Sequence, residues 1–295
     1  MNIFEQNIIN IYGEEGRNWL KNLPGIVNSL AVQYDISNLS PVTNLTYNYV
    51  LEGFQGTQPI ILKCGLDSLG IKREAAALKE FSGTGSVKLL AEGEQMLLLE
   101  RIIPGESLKS CWPDRDNEAL KIVIDIIDIM YKLYNIPLPK AHIFPTIIDW
   151  LTALDRDINI PRRYLEKARL LKNSLLNTCS AFKLLHGDLH HGNILNNKDE
   201  WLVIDPKGVI GEPAYELAYF IRNPIPELLY NESAAHIINW RAVNSAKFFD
   251  ITPQRILNWS FVQSVLSWIW ALEDGSNDVT YFHRLTEIMD PLVVL

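Results

Sequence analysis

Apolar and polar positions along this 295-residue chain change rhythm twice. Near the start, Phe4, Ile8, Ile11, Tyr12, Trp19 and Leu20 fall near one helical face, which predicts an amphipathic helix over residues 3–22. Leu23-Pro24-Gly25 is expected to end it. From Leu30 to Gly65 the rhythm becomes that of short strands, LAVQYDIS, YNYVLEGF and PIILKCG, with Gln55-Gly56-Thr57 turning the last hairpin. A helical run, IKREAAALKEF, follows, and then two more strands, SVKLLAEG and EQMLLLERI, around a turn containing Gly93. Beyond Pro104-Gly105 the pattern is helical over residues 118–136, 144–157, 162–178, 211–224, 232–249, 253–274 and 278–290. Only the apolar runs KLL and WLVID interrupt it. The expected fold class is α+β: a small antiparallel-sheet lobe with one long helix, residues 1–103, and a larger, mostly helical lobe, residues 104–295.

Composition narrows the function. Apolar and charged fractions are those of a globular enzyme, and a net charge of −8 argues against nucleic acid as a partner, because phosphate binding needs basic surface. The acidic balance favours a small, cationic substrate. Cys64, Cys111 and Cys179 are few and widely spaced, as in a reduced, cytoplasmic protein. The first residues lack the basic start and apolar run of a signal peptide, and no stretch has membrane-spanning length. A monomer or weak dimer is expected.

The candidate chemistry lies between KLL and WLVID, in HGDLHHGNILNNKDEWLVID, His186 to Asp205. Asp188 and Asn193 have the spacing of a kinase catalytic loop, H-x-D-x-x-x-x-N, and Asp205 stands on the end of the following strand. An aspartate there can orient an attacking hydroxyl and take its proton. An asparagine oxygen and a second aspartate suit Mg²⁺, which prefers oxygen ligands. Two other readings compete: a hairpin whose polar turn satisfies its own backbone, and a zinc site built from His186, Asp188, His190 and His191.

Upstream, Lys63 near the end of PIILK needs an anionic partner if buried, and Glu74 in the next helical run is the candidate. Strand lysine to helix glutamate is the pair that positions ATP phosphates in kinases. SPVTNLT, residues 40–46, lies where a phosphate-covering loop belongs but carries no G-x-G-x-x-G. Thr43 and Asn44 are its candidate donors. Glu100 to Ile102, before Pro104-Gly105, reads as a hinge whose backbone meets a flat base. Among the acidic residues of the helical lobe, Glu212, Glu216 and Asp274 are candidates to meet substrate cations. Trp259, Phe261, Trp268, Trp270, Tyr281 and Phe282 are expected in the core.

With HGDLHHGNIL, IDPKG and GEPAYELAYFIRNP assembled, the chain resembles the aminoglycoside phosphotransferases, especially the streptomycin 6-phosphotransferase and hydroxyurea phosphotransferase branch. The resemblance implies a protein-kinase-like two-lobed fold and ATP- and Mg²⁺-dependent phosphoryl transfer to a small-molecule hydroxyl. It assigns Asp188 as base, Asn193 and Asp205 as metal ligands, Lys63 as the phosphate lysine and Glu74 as its partner. A streptomycin-like aminoglycoside is the expected acceptor. A metabolite alcohol (sugar, amino alcohol or choline-like) is the alternative, as is an inactive nucleotide-binding protein on the same fold. Departures from the family are the missing glycine signature and Glu216 where relatives often carry Asp.

Overall fold

The computed structural model describes residues 2–43, 45–132, 143–179, 181–276 and 278–294. The chain divides into two compact units, Met1–Gly105 and Glu106–Leu295.

The first unit is a helix laid on a five-stranded sheet. Helix α1, Ile3–Gln33, opens with a capping box in which Asn2 and Glu5 satisfy each other's backbone amides. It kinks at Gly13, whose φ of 57 breaks the helical path. It then continues through Pro24, so the expected stop at Leu23-Pro24-Gly25 is not one. Leu30 to Gln33 is helical, not the start of a strand. The physical reason is burial: Trp19 and Leu23 are buried, and Leu20, Val27 and Leu30 pack against the same core, extending the apolar stripe past the proline. Losing one intrahelical hydrogen bond at Pro24 is outweighed by that packing.

Strands β1 (Ile36–Pro41), β2 (Tyr49–Gln55), β3 (Gln58–Cys64), β4 (Leu89–Glu92) and β5 (Met96–Glu100) run antiparallel in the order β1-β2-β3-β5-β4. Gly56, with φ of 58, makes the tight turn between β2 and β3. Ile60, Leu62 and Cys64 of β3 join Phe4, Ile8, Trp19 and Leu23 in one core. Alternation then turns Lys63 to the opposite face, towards helix α2, Ser68–Glu80. Asp67 caps α2 by accepting from the Gly70 amide.

The second unit is helical around α8, Pro253–Glu273, which is buried on nearly every side. Packed about it are α5 (Arg162–Asn177), α6 (Pro213–Ile221), α7 (Ala234–Phe249) and α9 (Val279–Met289). Helix α3, Asp116–Lys132, joins α7 through a buried Arg241 that binds the Asp116 carboxylate and the carbonyls of Ile221 and Asn223. Residues 133–136 of the helix expected over 118–136 lie outside the described residues. The helix expected over 144–157 is shorter. Thr146 and Asp149 form a capping box that starts α4, Ile147–Leu151, and a 3₁₀ turn, Thr152–Asp155, follows. Of the six aromatics assigned to the core, Trp259, Phe261 and Trp268 are buried, whereas Trp270, Tyr281 and Phe282 are half-buried.

Two short two-stranded sheets accompany these helices. Strand β6 (Lys183–Leu185) pairs antiparallel with β9 (Val209–Gly211), and β7 (Ile194–Asn197) pairs with β8 (Glu200–Val203). The loop from His186 to Asn193 joins β6 to β7, and residues 204–208 join β8 to β9.

Candidate active site

His186 is the clasp of the loop. Its ring is fully buried, so its pKa is pushed down to about 4 and the imidazole is neutral. Nδ1 accepts from the Asp188 amide at 3.2 Å, which leaves the proton on Nε2 to be donated to the Ile204 carbonyl at 2.8 Å. The His186 carbonyl accepts from the amides of Lys207 and Gly208. One residue therefore fastens the start of the Asp188 loop to the chain on either side of Asp205. Gly187 follows with φ of 83, and a Cβ there would meet Val209 Cγ1 at 2.9 Å and Trp150 Cη2 at 3.0 Å. Glycine is required by both dihedral and space.

Asp188 ends up inside a ring of polar groups. Asn193 Nδ2 donates to its carbonyl at 2.9 Å and to Oδ2 at 3.3 Å. His190 Nε2 is 3.8 Å from Oδ1, and Lys207 Nζ is 3.9 Å from Oδ2. The Tyr219 hydroxyl lies against the same carboxylate, and burial together with that negative charge drives its pKa up. Asn193 is itself buried and held by its amide's bond to the His190 carbonyl. Its amide nitrogen being spent on Asp188, its oxygen faces elsewhere. Asp205 sits in the left-handed region with φ of 58, a conformation Asp tolerates better than most residues. Its Oδ2 accepts from Lys207 Nζ at 2.8 Å. Asp188, Asn193 and Asp205 are thus brought together by one hydrogen-bonded loop pair.

Beneath the loop, Glu216 of α6 is almost fully buried. The Gly187 amide donates to Oε1 at 3.1 Å and Oε2 at 3.3 Å, and the amides of His186 and Leu189 are directed at the same group. Burial nonetheless dominates and pushes its pKa up to about 8. Glu212 is also engaged. Arg255 binds both its oxygens, and Trp259 Nε1 donates to Oε2 at 3.1 Å. Each carboxyl group is engaged by the protein's own donors, which differs from the substrate contact the sequence suggests. Asp274, at the end of α8, is exposed, and partial burial plus neighbouring Glu273 raise its pKa.

In the first unit, Lys63 Nζ donates to Glu74 Oε2 at 2.6 Å, with both side chains buried. Thr43 lies in the bend after β1; Asn44 lies outside the described residues. Glu100 spends its Oε1 on the Lys88 amide at 2.8 Å. The amides of Glu100 and Arg101 are bonded to the carbonyls of Lys88 and Pro59, and Ile102, the last residue of the expected base contact, is buried.

Sequence reasoning did not single out Tyr219 or Trp150. Tyr219 stands one helical turn after Glu216, and that spacing on α6 was the available signal, because Glu216 already touches the loop. Trp150 carries no motif at all.

The donors match a hard divalent cation. An amide oxygen and a carboxylate suit Mg²⁺, and the Lys207 ammonium already rests as a positive charge against Asp205. Zinc does not fit. No group of three or more His, Cys, Asp or Glu side chains able to hold a metal occurs among the described residues. His191 is instead buried and stacked on Phe220 at 4.2 Å, its pKa lowered by burial. No helix of the described residues is long and apolar enough to cross a membrane.

Several known phosphotransferases are similar to this chain. Streptomycin 3''-kinase of Klebsiella pneumoniae is 29% identical over 237 residues, covering 77% of this chain and 85% of that protein. Streptomycin 6-kinase of Streptomyces glaucescens is 23% identical, covering 90% and 88%. Hydroxyurea phosphotransferase of Kitasatospora aureofaciens is 27% identical, covering 89% and 77%. Among solved structures, aminoglycoside phosphotransferase APH(4)-Ia superposes with a TM-score of 0.69 at 14% identity, over 91% of this chain and 98% of that one. Choline kinase LicA from Streptococcus pneumoniae gives 0.65 at 13%, over 92% and 99%. Such distant structural matches show the fold, which is the protein-kinase-like one expected from the sequence. Residues 50–275 match the family model described as aminoglycoside/hydroxyurea antibiotic resistance kinase, and the chain belongs to that family.

Proposed function

We propose that this chain transfers the γ-phosphoryl group of ATP to a hydroxyl of a streptomycin-type aminoglycoside. One observation carries the reading: the Asp188 carboxylate is held by Asn193 while Lys207 draws Asp205 to the same place. Asp188 Oδ1 takes the hydrogen bond of the acceptor hydroxyl and receives its proton as the new O–P bond forms. Tyr219 and Asn193 keep that carboxylate aimed, which is most of what a loose phosphoryl-transfer transition state asks of a protein. Asn193 and Asp205 would hold Mg²⁺, which when bound neutralises charge on the phosphate oxygens. Lys63, fixed by Glu74, is assigned to the α- and β-phosphates, Thr43 and Asn44 to the phosphate-covering loop, and the Ile102 backbone to the base. Asp274 is left to meet a cation of the acceptor, since Glu212 and Glu216 are engaged. The acceptor class follows from the streptomycin kinases among the relatives.

The test is transfer from γ-labelled ATP with Mg²⁺ across streptomycin, hydroxyurea, choline and methylthioribose, with product masses. Streptomycin should gain one phosphoryl group, and Asp188→Asn should abolish turnover while ATP still binds. Transfer to choline or methylthioribose alone would move the acceptor to the metabolite alcohols. ATP binding without transfer to any acceptor would refute the catalytic reading.

A further inference from the structure

Lys207 has a geometry that the reaction as described leaves unused. Its Nζ is 2.8 Å from Asp205 Oδ2 and 3.9 Å from Asp188 Oδ2, so one ammonium spans the two carboxylates. Two like charges brought this close repel unless a cation stands between them. The lysine is not a wandering surface residue. Its amide donates to the His186 carbonyl at 2.8 Å, and its Cβ lies 3.5 Å from where a Cβ on Gly187 would sit. The start of the stem is therefore fixed on the loop while the ammonium end, held against Asp205, stays partly open to solvent.

We propose, resting on the phosphotransferase reading, that Lys207 is a resident cation which a divalent ion must displace from Asp205, and whose released ammonium then serves the transferring phosphoryl group. In the metal-free protein it holds the two carboxylates together. A divalent ion approaching Asp205 meets an oxygen already engaged by a positive charge, so Lys207 lowers the affinity of the empty enzyme for metal. Once displaced, its fixed stem keeps Nζ within a few ångströms of Asp188, where the acceptor oxygen and the phosphorus must meet. There it binds a non-bridging phosphoryl oxygen, and Lys207 is a catalytic residue. No bond to Lys207 is made or broken; its contribution is electrostatic.

The first measurement is Mn²⁺ binding without nucleotide, read from free-ion electron paramagnetic resonance, on the wild type, Lys207→Met and Lys207→Arg. Lys207→Met should bind Mn²⁺ about threefold to tenfold more tightly, the range open to a partly exposed ion pair, and Lys207→Arg should match the wild type. With streptomycin as acceptor, kcat of Lys207→Met should fall roughly 100-fold while the acceptor KM stays within about threefold, and Lys207→Arg should recover part of kcat. Equal or weaker Mn²⁺ binding by Lys207→Met, with its melting temperature unchanged, would overturn the resident-cation role. Tighter Mn²⁺ with kcat near wild type would overturn the catalytic role. No Mn²⁺ bound by any of the three would overturn the resident-cation role. The Mn²⁺ measurement needs no acceptor, so it stands even if the aminoglycoside reading fails.

Discussion

Glu216→Gln separates what a buried carboxylate does for the loop from what its charge costs. Glu216 is almost fully buried, and its pKa stands at about 8 against an ordinary 4.5. A raised acid pKa means the native state holds a proton that the unfolded chain has released. Stability is therefore fully present below about pH 4.5 and declines as pH rises through about 8. A shift of that size corresponds to roughly 5 kcal/mol across the window, to order of magnitude. Glutamine cannot ionise, so the variant loses this slope. It keeps one oxygen for the Gly187 amide, but its NH₂ carries two hydrogens, and no accepting lone pair, where the protonated acid carries an O–H, a mismatch with the other backbone donors costing about 1–3 kcal/mol. The expectation is that Glu216→Gln is less stable than wild type near pH 5 and more stable near pH 9. Urea denaturation followed by tryptophan fluorescence from pH 5 to 9 measures both curves. Parallel curves for the two proteins would refute the argument, because they would mean Glu216 is ionised throughout and held by the amides of the loop.

Gly187→Ala puts a methyl group at φ of 83 and against Val209 and Trp150, so it should destabilise by about 2–4 kcal/mol and remove most turnover; a denaturation curve and an ATP-transfer assay check it. Arg255→Met leaves the buried Glu212 carboxylate with no cation, only the neutral donors Trp259 and Cys179, so a loss of about 3–5 kcal/mol is expected at pH 7, while Arg255→Met combined with Glu212→Leu should recover much of it. A double-mutant cycle on urea midpoints measures that coupling, and single-variant losses below about 1 kcal/mol would show the pair to be incidental.

The arrangement of the loop was readable because its parts are contiguous. Asp188, Asn193 and Asp205 lie on one short stretch, and the glycine and strand patterns around them fix how it turns. Lys63 was readable for another reason: an ammonium in an apolar strand demands a partner, and Glu74 supplies it. The carboxylates of α6 were not readable in the same way. Their partners, Arg255 and the amides beside Gly187, come from elsewhere in the chain, so only packing decides whether Glu212 and Glu216 face a ligand or support the fold. Trp150 reaches Gly187 by the same long-range route. The end of α1 was missed because Pro24-Gly25 is a strong local stop, and the core contacts of Leu23, Val27 and Leu30 that override it are not local.

The imidazole of His186 offers a practical handle. With Nδ1 accepting and Nε2 donating, both nitrogens are committed, and only one tautomer satisfies both. Its nitrogen resonances should therefore stay fixed across neutral pH and split only when one side of the clasp lets go. A single labelled ring would report the integrity of the Asp188 loop and the Asp205 stretch together, in a protein bearing no ligand at all.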